Sequence, residues 1–189
     1  WLLFRLMFGA GLIKIRGDEC WRNLTCMDYH YETHPLPNPL SWTLHHLPGV
    51  WHKIETGGTH FIELVLPFAY FIPPLTVWAG AVTVFFHGML ILSGNLSWLN
   101  YITLVIALSC LGSASGNRAP GGRAAMDWGR RGVLTLLTVV IAFLSITPTM
   151  NLLSRSQKMN ASFDPLHLVN TYGAFGSITR VRREVVFEG

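Results

Sequence analysis

Five ionisable side chains carry the sharpest chemical possibility in this sequence: His52, Glu55, His60, Glu63 and His87. The first four recur at steps of three and four with Thr56 and Thr59 between them, so a helix would gather them on one face. His87 lies in a later apolar run. Ionisable groups inside membrane helices are costly to bury and are functional candidates for that reason. Glu-x-x-His pairs on bundle helices can build metal sites. Here the order is reversed, as His60-x-x-Glu63, and only one such pair occurs. We read the cluster as an interhelical hydrogen-bond network, with His87 meeting Glu63 to lock a hairpin. A polar groove for protein or lipid and a metal or catalytic site are the alternatives. No metal, no cofactor and no catalytic residue are assigned.

A second concentration of chemistry is Met27 to Pro39, which gathers Asp28, His30, Glu32 and His34, with His45 and His46 just beyond. His30-x-x-x-His34 would suit a helical metal site, but Pro35, Pro37 and Pro39 oppose helix continuation. A folded surface loop is the reading adopted. Cys20 and Cys26 match no common zinc spacing. In an oxidising compartment they could close a small disulfide loop, and spacing alone leaves two free thiols as the other outcome. No H-E-x-x-H, phosphate-loop or dinucleotide fingerprint is present. Gly112 to Gly116 has Ala114 where a nucleophile elbow needs serine.

The elements that must position these groups are membrane helices. Half of the 189 residues are hydrophobic and 13% are charged, against about 25% in an average soluble domain. Mean hydropathy is +0.37. The net charge of +4 is not arranged as a basic stripe with aromatics, so nucleic acid is not a partner. Apolar runs fall at Trp1–Ile15, Val50–Ile72, Leu75–Ser93, Trp98–Leu111 and Gly132–Met150. The fold expected is all-α, a bundle of about five transmembrane helices over residues 1–150, including a long loop over 16–49. In that loop Trp21, Tyr29, Tyr31 and Trp42 could rest on the membrane interface. Lys14 and Arg16 could snorkel outward. Pro67 is expected to kink its helix, and Pro73-Pro74 to end it. Residues 151–189 read as the beginning of a truncated β-containing domain, with a strand over Arg183–Glu188. The chain starts at Trp1 and stops in that strand, as an internal fragment would.

Charge and sequons give the same orientation. Arg118, Arg123, Arg130 and Arg131 put the 113–131 loop in the cytosol. Asn23-Leu24-Thr25, Asn95-Leu96-Ser97 and Asn160-Ala161-Ser162 match the glycosylation acceptor pattern and fall on the opposite face. Asn23 and Asn160 are the usable sites, because Asn95 sits in a turn against the bilayer. Loop 16–49 and the C-terminal tail are then lumenal.

Long strings of the sequence resemble the lipase maturation factor family. They are Arg5–Asp18, Cys20–Thr33, Pro37–Pro39, His45-His46, His60–Leu64, Ser93–Ser97 and Asn170–Thr179, and they span nearly the whole chain. The similarity is closer to the lipase-maturing branch, and Gly112–Arg131 departs from it as a shorter loop. The resemblance implies a multi-pass membrane protein of the endoplasmic reticulum. It implies assistance to the folding and assembly of secreted lipases such as lipoprotein lipase, with client lipases in the lumen as partners alongside the lipid bilayer. It supplies no catalytic residue. The expected function is therefore a non-enzymatic, chaperone-like glycoprotein. The rival is an intramembrane enzyme using the His/Glu site, and a transporter is a third reading.

Overall fold

The computed structural model describes residues 1–34, 36, 38–94, 96, 98–112, 128–154, 156–171, 173, 175–183 and 185. The expected strand over Arg183–Glu188, the sequon at Asn95, Pro35, Pro37 and the loop carrying Arg118 and Arg123 lie largely or wholly outside the described residues. Two units form: Trp1–Ala114 with Ala174–Gly189, and Ser115–Gly173.

In the first unit, helix α1 (Leu2–Arg16) buries Leu3, Met7, Gly11 and Lys14. That three-and-four spacing is one helical face. A Cβ at Gly11 would lie 2.7 Å from the Leu64 side chain and 3.0 Å from Glu63 Cβ, so a larger residue there would require these side chains to shift. The 16–49 stretch is more ordered than its sequence promises. It contains α2 (Glu19–Arg22), α3 (Met27–His30) and α4 (Pro39–His45). Asn38 starts α4 with a reciprocal capping box: its side chain accepts from Ser41 N, and Ser41 Oγ receives Asn38 N–H. Pro39 occupies the first turn, where its missing N–H costs nothing.

The segment from Gly49 to Phe71 is continuous but changes pitch. It is α5 over Gly49–His60, a π turn over Phe61–Val65 and a 3-10 turn over Leu66–Phe71. Pro67 cannot donate to the carbonyl of Glu63. The ladder therefore widens before the proline and tightens after it. Pro73 and Pro74 do not merely end this segment. They open the first turn of α6 (Pro73–Ser93), with Ile72 extended ahead of them, as a residue before proline prefers.

Helix α6 pairs with α7 (Trp98–Gly112) through small residues. Ala79, Gly80 and Thr83 are buried against a face bearing Thr103 and Ala107, and a Cβ on Gly80 would sit 2.4 Å from Cys110 Cβ. The hydrophobic core between the long helices is Leu3, Met7 and Ala107, with Ile62, Tyr70, Val84 and Ile106 around it. A second core holds the loop together: Cys20, Trp21, Cys26, Met27, Tyr31 and Ile178. Trp21 and Tyr31 are therefore interior residues and not interfacial ones, which corrects two of the four aromatics assigned to the membrane surface. The tail is stitched to the same place. Asp18 N–H donates to Gly176 O at 2.8 Å, and Trp21 Nε1–H donates to Phe175 O at 2.9 Å.

In the second unit, the apolar run expected over Gly132–Met150 is α8 (Trp128–Leu144) and α9 (Ile146–Leu153), broken at Ser145. Ser145 and Thr149 hydroxyls donate to carbonyls four residues back, a pattern that bends helices. Beyond them the Asp164 carboxylate accepts the N–H groups of Leu166, Leu168 and Val169, and these bonds hold it below the usual carboxylate range. Among the described residues no strand forms, and one isolated bridge joins Ser162 and Asn170.

Pro73–Ser93 and Trp128–Leu153 are long and apolar enough to cross a membrane, and Trp98–Gly112 is shorter.

Candidate functional site

The polar face of the Gly49–Phe71 segment points inward and its apolar face outward. His52, Thr56, Thr59 and Glu63 are buried, whereas Val50, Trp51, Ile54, Phe61, Val65 and Phe68 are exposed. That is the inversion expected of a helix with lipid on its outside.

Thr56 and Thr59 donate to carbonyls one turn back on their own helix, whereas the ionisable groups meet the loop or α1. His52 has both ring nitrogens on acceptors: Nδ1 is 3.2 Å from Asp28 Oδ1 and Nε2 is 3.1 Å from Leu44 O. Glu55 Oε1 accepts from the Tyr31 hydroxyl at 3.0 Å, and burial beside that carboxylate pushes the Tyr31 phenol above its ordinary range. His60 Nε2–H donates to Trp21 O at 2.9 Å. Glu63 Oε1 accepts from Lys14 Nζ, and both side chains are buried. The Lys14 ammonium also lies 5.1 Å from the centre of the Trp21 ring, within cation–π range.

Two expectations are corrected here. Lys14 does not snorkel to the surface; it turns inward because Glu63 supplies the opposite charge. Glu63 does not lock the hairpin through His87. His87 instead places Nδ1 3.0 Å from Thr83 O, one turn back on its own helix.

The loop adds a histidine pair. His30 Nε2 and His34 Nε2 are 2.8 Å apart, so one must donate and the other accept. Burial, with the His34 ring and the Lys14 charge nearby, lowers His30 to about 3. Burial also lowers His34. The His34 ring fills the space beside Gly94, where a Cβ would stand 2.5 Å from it. His45 faces Glu32 at 3.5 Å on the surface. Cys20 and Cys26 are joined by a disulfide and are fully buried. Asn23, between them, and Asn160 are both exposed.

Among the described residues no group of three or more His, Cys, Asp or Glu side chains converges as a metal site would. Two buried acceptor-capable atoms at the centre, Glu63 Oε2 and His60 Nδ1, have no hydrogen-bond partner among the described residues. Sequence reasoning missed Lys14, Trp21, Asp28 and Tyr31 as the partners of the polar face.

Residues 1–117 match the family model described as the lipase maturation factor transmembrane domain. All of the chain aligns with lipase maturation factor 1 of Bos taurus at 48% identity and of Homo sapiens at 46%. Lipase maturation factor 2 of Mus musculus is 35% identical over 78% of the chain. The chain spans 38% of the bovine relative and 21% of the mouse factor 2, so about two-fifths of the length of the more similar proteins. The bovine alignment runs over 216 positions for the 189 residues here, so the relative carries extra residues within the matched region. No solved structure matches.

Proposed function

The chain belongs to the lipase maturation factor family, and from that premise we propose that it is the membrane core of a factor that assists folding and assembly of secreted lipases in the endoplasmic reticulum. Its relatives' names carry lipase maturation, and the matched domain is a transmembrane one. Lipoprotein lipase is the client class we assign. Residues 1–150 form a bundle of about five spans, and 151–189 begin a lumenal domain. Loop 16–49 and the tail face the lumen, and 113–131 faces the cytosol. Asn23 and Asn160 are glycosylated there.

The observation that carries the non-enzymatic reading is the use made of the polar face. His52, Glu55, His60 and Glu63 each spend a polar atom tying the helix to Asp28, Leu44, Tyr31, Trp21 or Lys14. Groups so engaged hold a shape for a client to meet. The test is secretion of active lipase from cells lacking the endogenous factor and supplied with the full-length His60→Gln or Glu63→Gln protein. Loss of activity in proportion to lost protein fits a scaffold. Loss at normal abundance refutes it and favours the intramembrane enzyme, the reading supported by Glu63 Oε2 and His60 Nδ1, which have no hydrogen-bond partner among the described residues. For orientation, Asn23→Gln and Asn160→Gln should each remove one glycosidase-sensitive mass increment, and cytosolic protease access to either segment overturns the assignment.

A further inference from the structure

Helix α4 is uncharged and outward-facing: Pro39–His45 contains no Asp, Glu, Lys or Arg. Ser41 and Leu44 turn inward, while Pro39, Trp42, Thr43 and His46 are exposed at helical steps of three and four. Leu36 and Leu40 are exposed beside them, and Trp42 is 68% exposed. Water gives such a face no reward, because burying an aromatic ring removes a large apolar area from solvent.

The position of α4 says what covers that face. The Asn38 Nδ2–H donates to Leu92 O at 2.9 Å, one residue before the end of α6, which is long enough to cross a bilayer. His34 sits against Gly94, just past that end. Trp98 and Tyr101, also exposed, stand in the first turn of α7, the next helix in the chain. The start of α4 is thus fixed where the hydrocarbon ends. Trp and Tyr concentrate at that depth because their rings are apolar and their N–H or O–H groups reach water. The Trp42 side chain is also held in place: its ring centre is 4.2 Å from that of His46, and His46 Nδ1–H donates to the Trp42 carbonyl.

We propose that α4 is an interfacial anchor, its Trp42 face seated in the headgroup layer of the bilayer that α6 crosses. The occupant is lipid, of either zwitterionic or anionic headgroup, since the helix offers no fixed charge to choose between them. The proposal rests on α6 spanning the membrane and is independent of which client the protein serves. Loop 16–49 then lies along the membrane, and any client surface is on its other side.

The test is spin labelling of full-length protein in phosphatidylcholine vesicles, on a background without free cysteines. Labels at Trp42→Cys and Leu40→Cys are compared with Asn23→Cys as the aqueous reference. The expected result is an oxygen-to-nickel-chelate accessibility ratio several-fold higher at 42 and 40 than at 23, unchanged by added phosphatidylserine. Equal nickel access at all three positions overturns the proposal in favour of water. Shielding of 42 from both reagents overturns it in favour of a protein contact. Should the cysteine variants misfold, the fluorescence difference between wild type and Trp42→Phe gives the same readout: quenching by shallow brominated lipid supports the anchor, and quenching by aqueous acrylamide alone refutes it.

Discussion

The Lys14–Glu63 pair makes the strongest quantitative prediction. Both side chains are buried, and Glu63 lies in the π turn that α1 approaches at Gly11. Removing one member leaves the other charge without compensation in a low-dielectric interior, which costs about 3–5 kcal/mol. A domain is stable by only about 5–15 kcal/mol. At about 2–4 °C per kcal/mol for a chain of this size, Glu63→Gln and Lys14→Met should each lower the melting temperature of detergent-solubilised protein by on the order of 10 °C. The double variant removes both charges together, and replacing a buried pair is often nearly neutral. It should recover most of the loss, giving a coupling of about 2 kcal/mol or more in a double-mutant cycle. The assay is thermal unfolding of the four proteins alongside their abundance in membranes and the lipase activity they support. Additive single effects would refute the reasoning, since the pair would then not be a pair. A double variant that is stable and abundant yet supports no lipase activity would refute the scaffold role instead.

Three further outcomes follow from other contacts. The His30 pKa is held near 3 against an unfolded value of about 6.5, so the unfolded chain takes up the proton first as pH falls. Stability from burying the neutral ring is complete above pH 6.5 and is lost between 6.5 and about 3, by about 2 kcal/mol between pH 6.5 and 5; melting curves of His30→Gln should show less of that decline than wild type. The Cys20–Cys26 bridge closes a short loop, and Cys20→Ser with Cys26→Ser should cost about 2 kcal/mol by the chain-entropy relation, read as a lower melting temperature without reductant and none added by reductant. A Cβ at Gly17 would stand 2.1 Å from Gly176 O, so Gly17→Ala should cost about 1–3 kcal/mol of overpacking and speed trypsin cleavage at Arg180 or Arg182; an unchanged digestion rate would mean the tail is not held there.

What was legible in the sequence was periodicity. The inward face of α5 follows from steps of three and four among His52, Thr56, Thr59 and Glu63, and the apolar runs place α6 and α7 to within a residue or two. Partners were not legible, because they join residues distant in sequence. Lys14 meets Glu63 across 49 positions and His60 meets Trp21 across 39, distances over which periodicity carries nothing. The pitch change in Gly49–Phe71 was half visible, since Pro67 announces a broken ladder but not how the carbonyls ahead of it rearrange. The helices within 16–49 escaped notice because each is a turn or two long, too short for a pattern, and is held by capping and by the disulfide core rather than by propensity.

The tail that returns to Trp21 sets an order of events during synthesis. The Trp21–Phe175 bond spans 154 positions. At about 5–20 residues per second, the ribosome needs on the order of 10–30 s to deliver its second half after the first has emerged. Cys20 and Cys26 are six positions apart, so at that rate the second cysteine follows the first within about a second. During the interval the Trp21 cluster lacks Ile178, and the nascent loop offers chaperones an aromatic surface that the finished protein hides. Closure of that surface is a timestamp: it occurs only once every helix before residue 175 has been made.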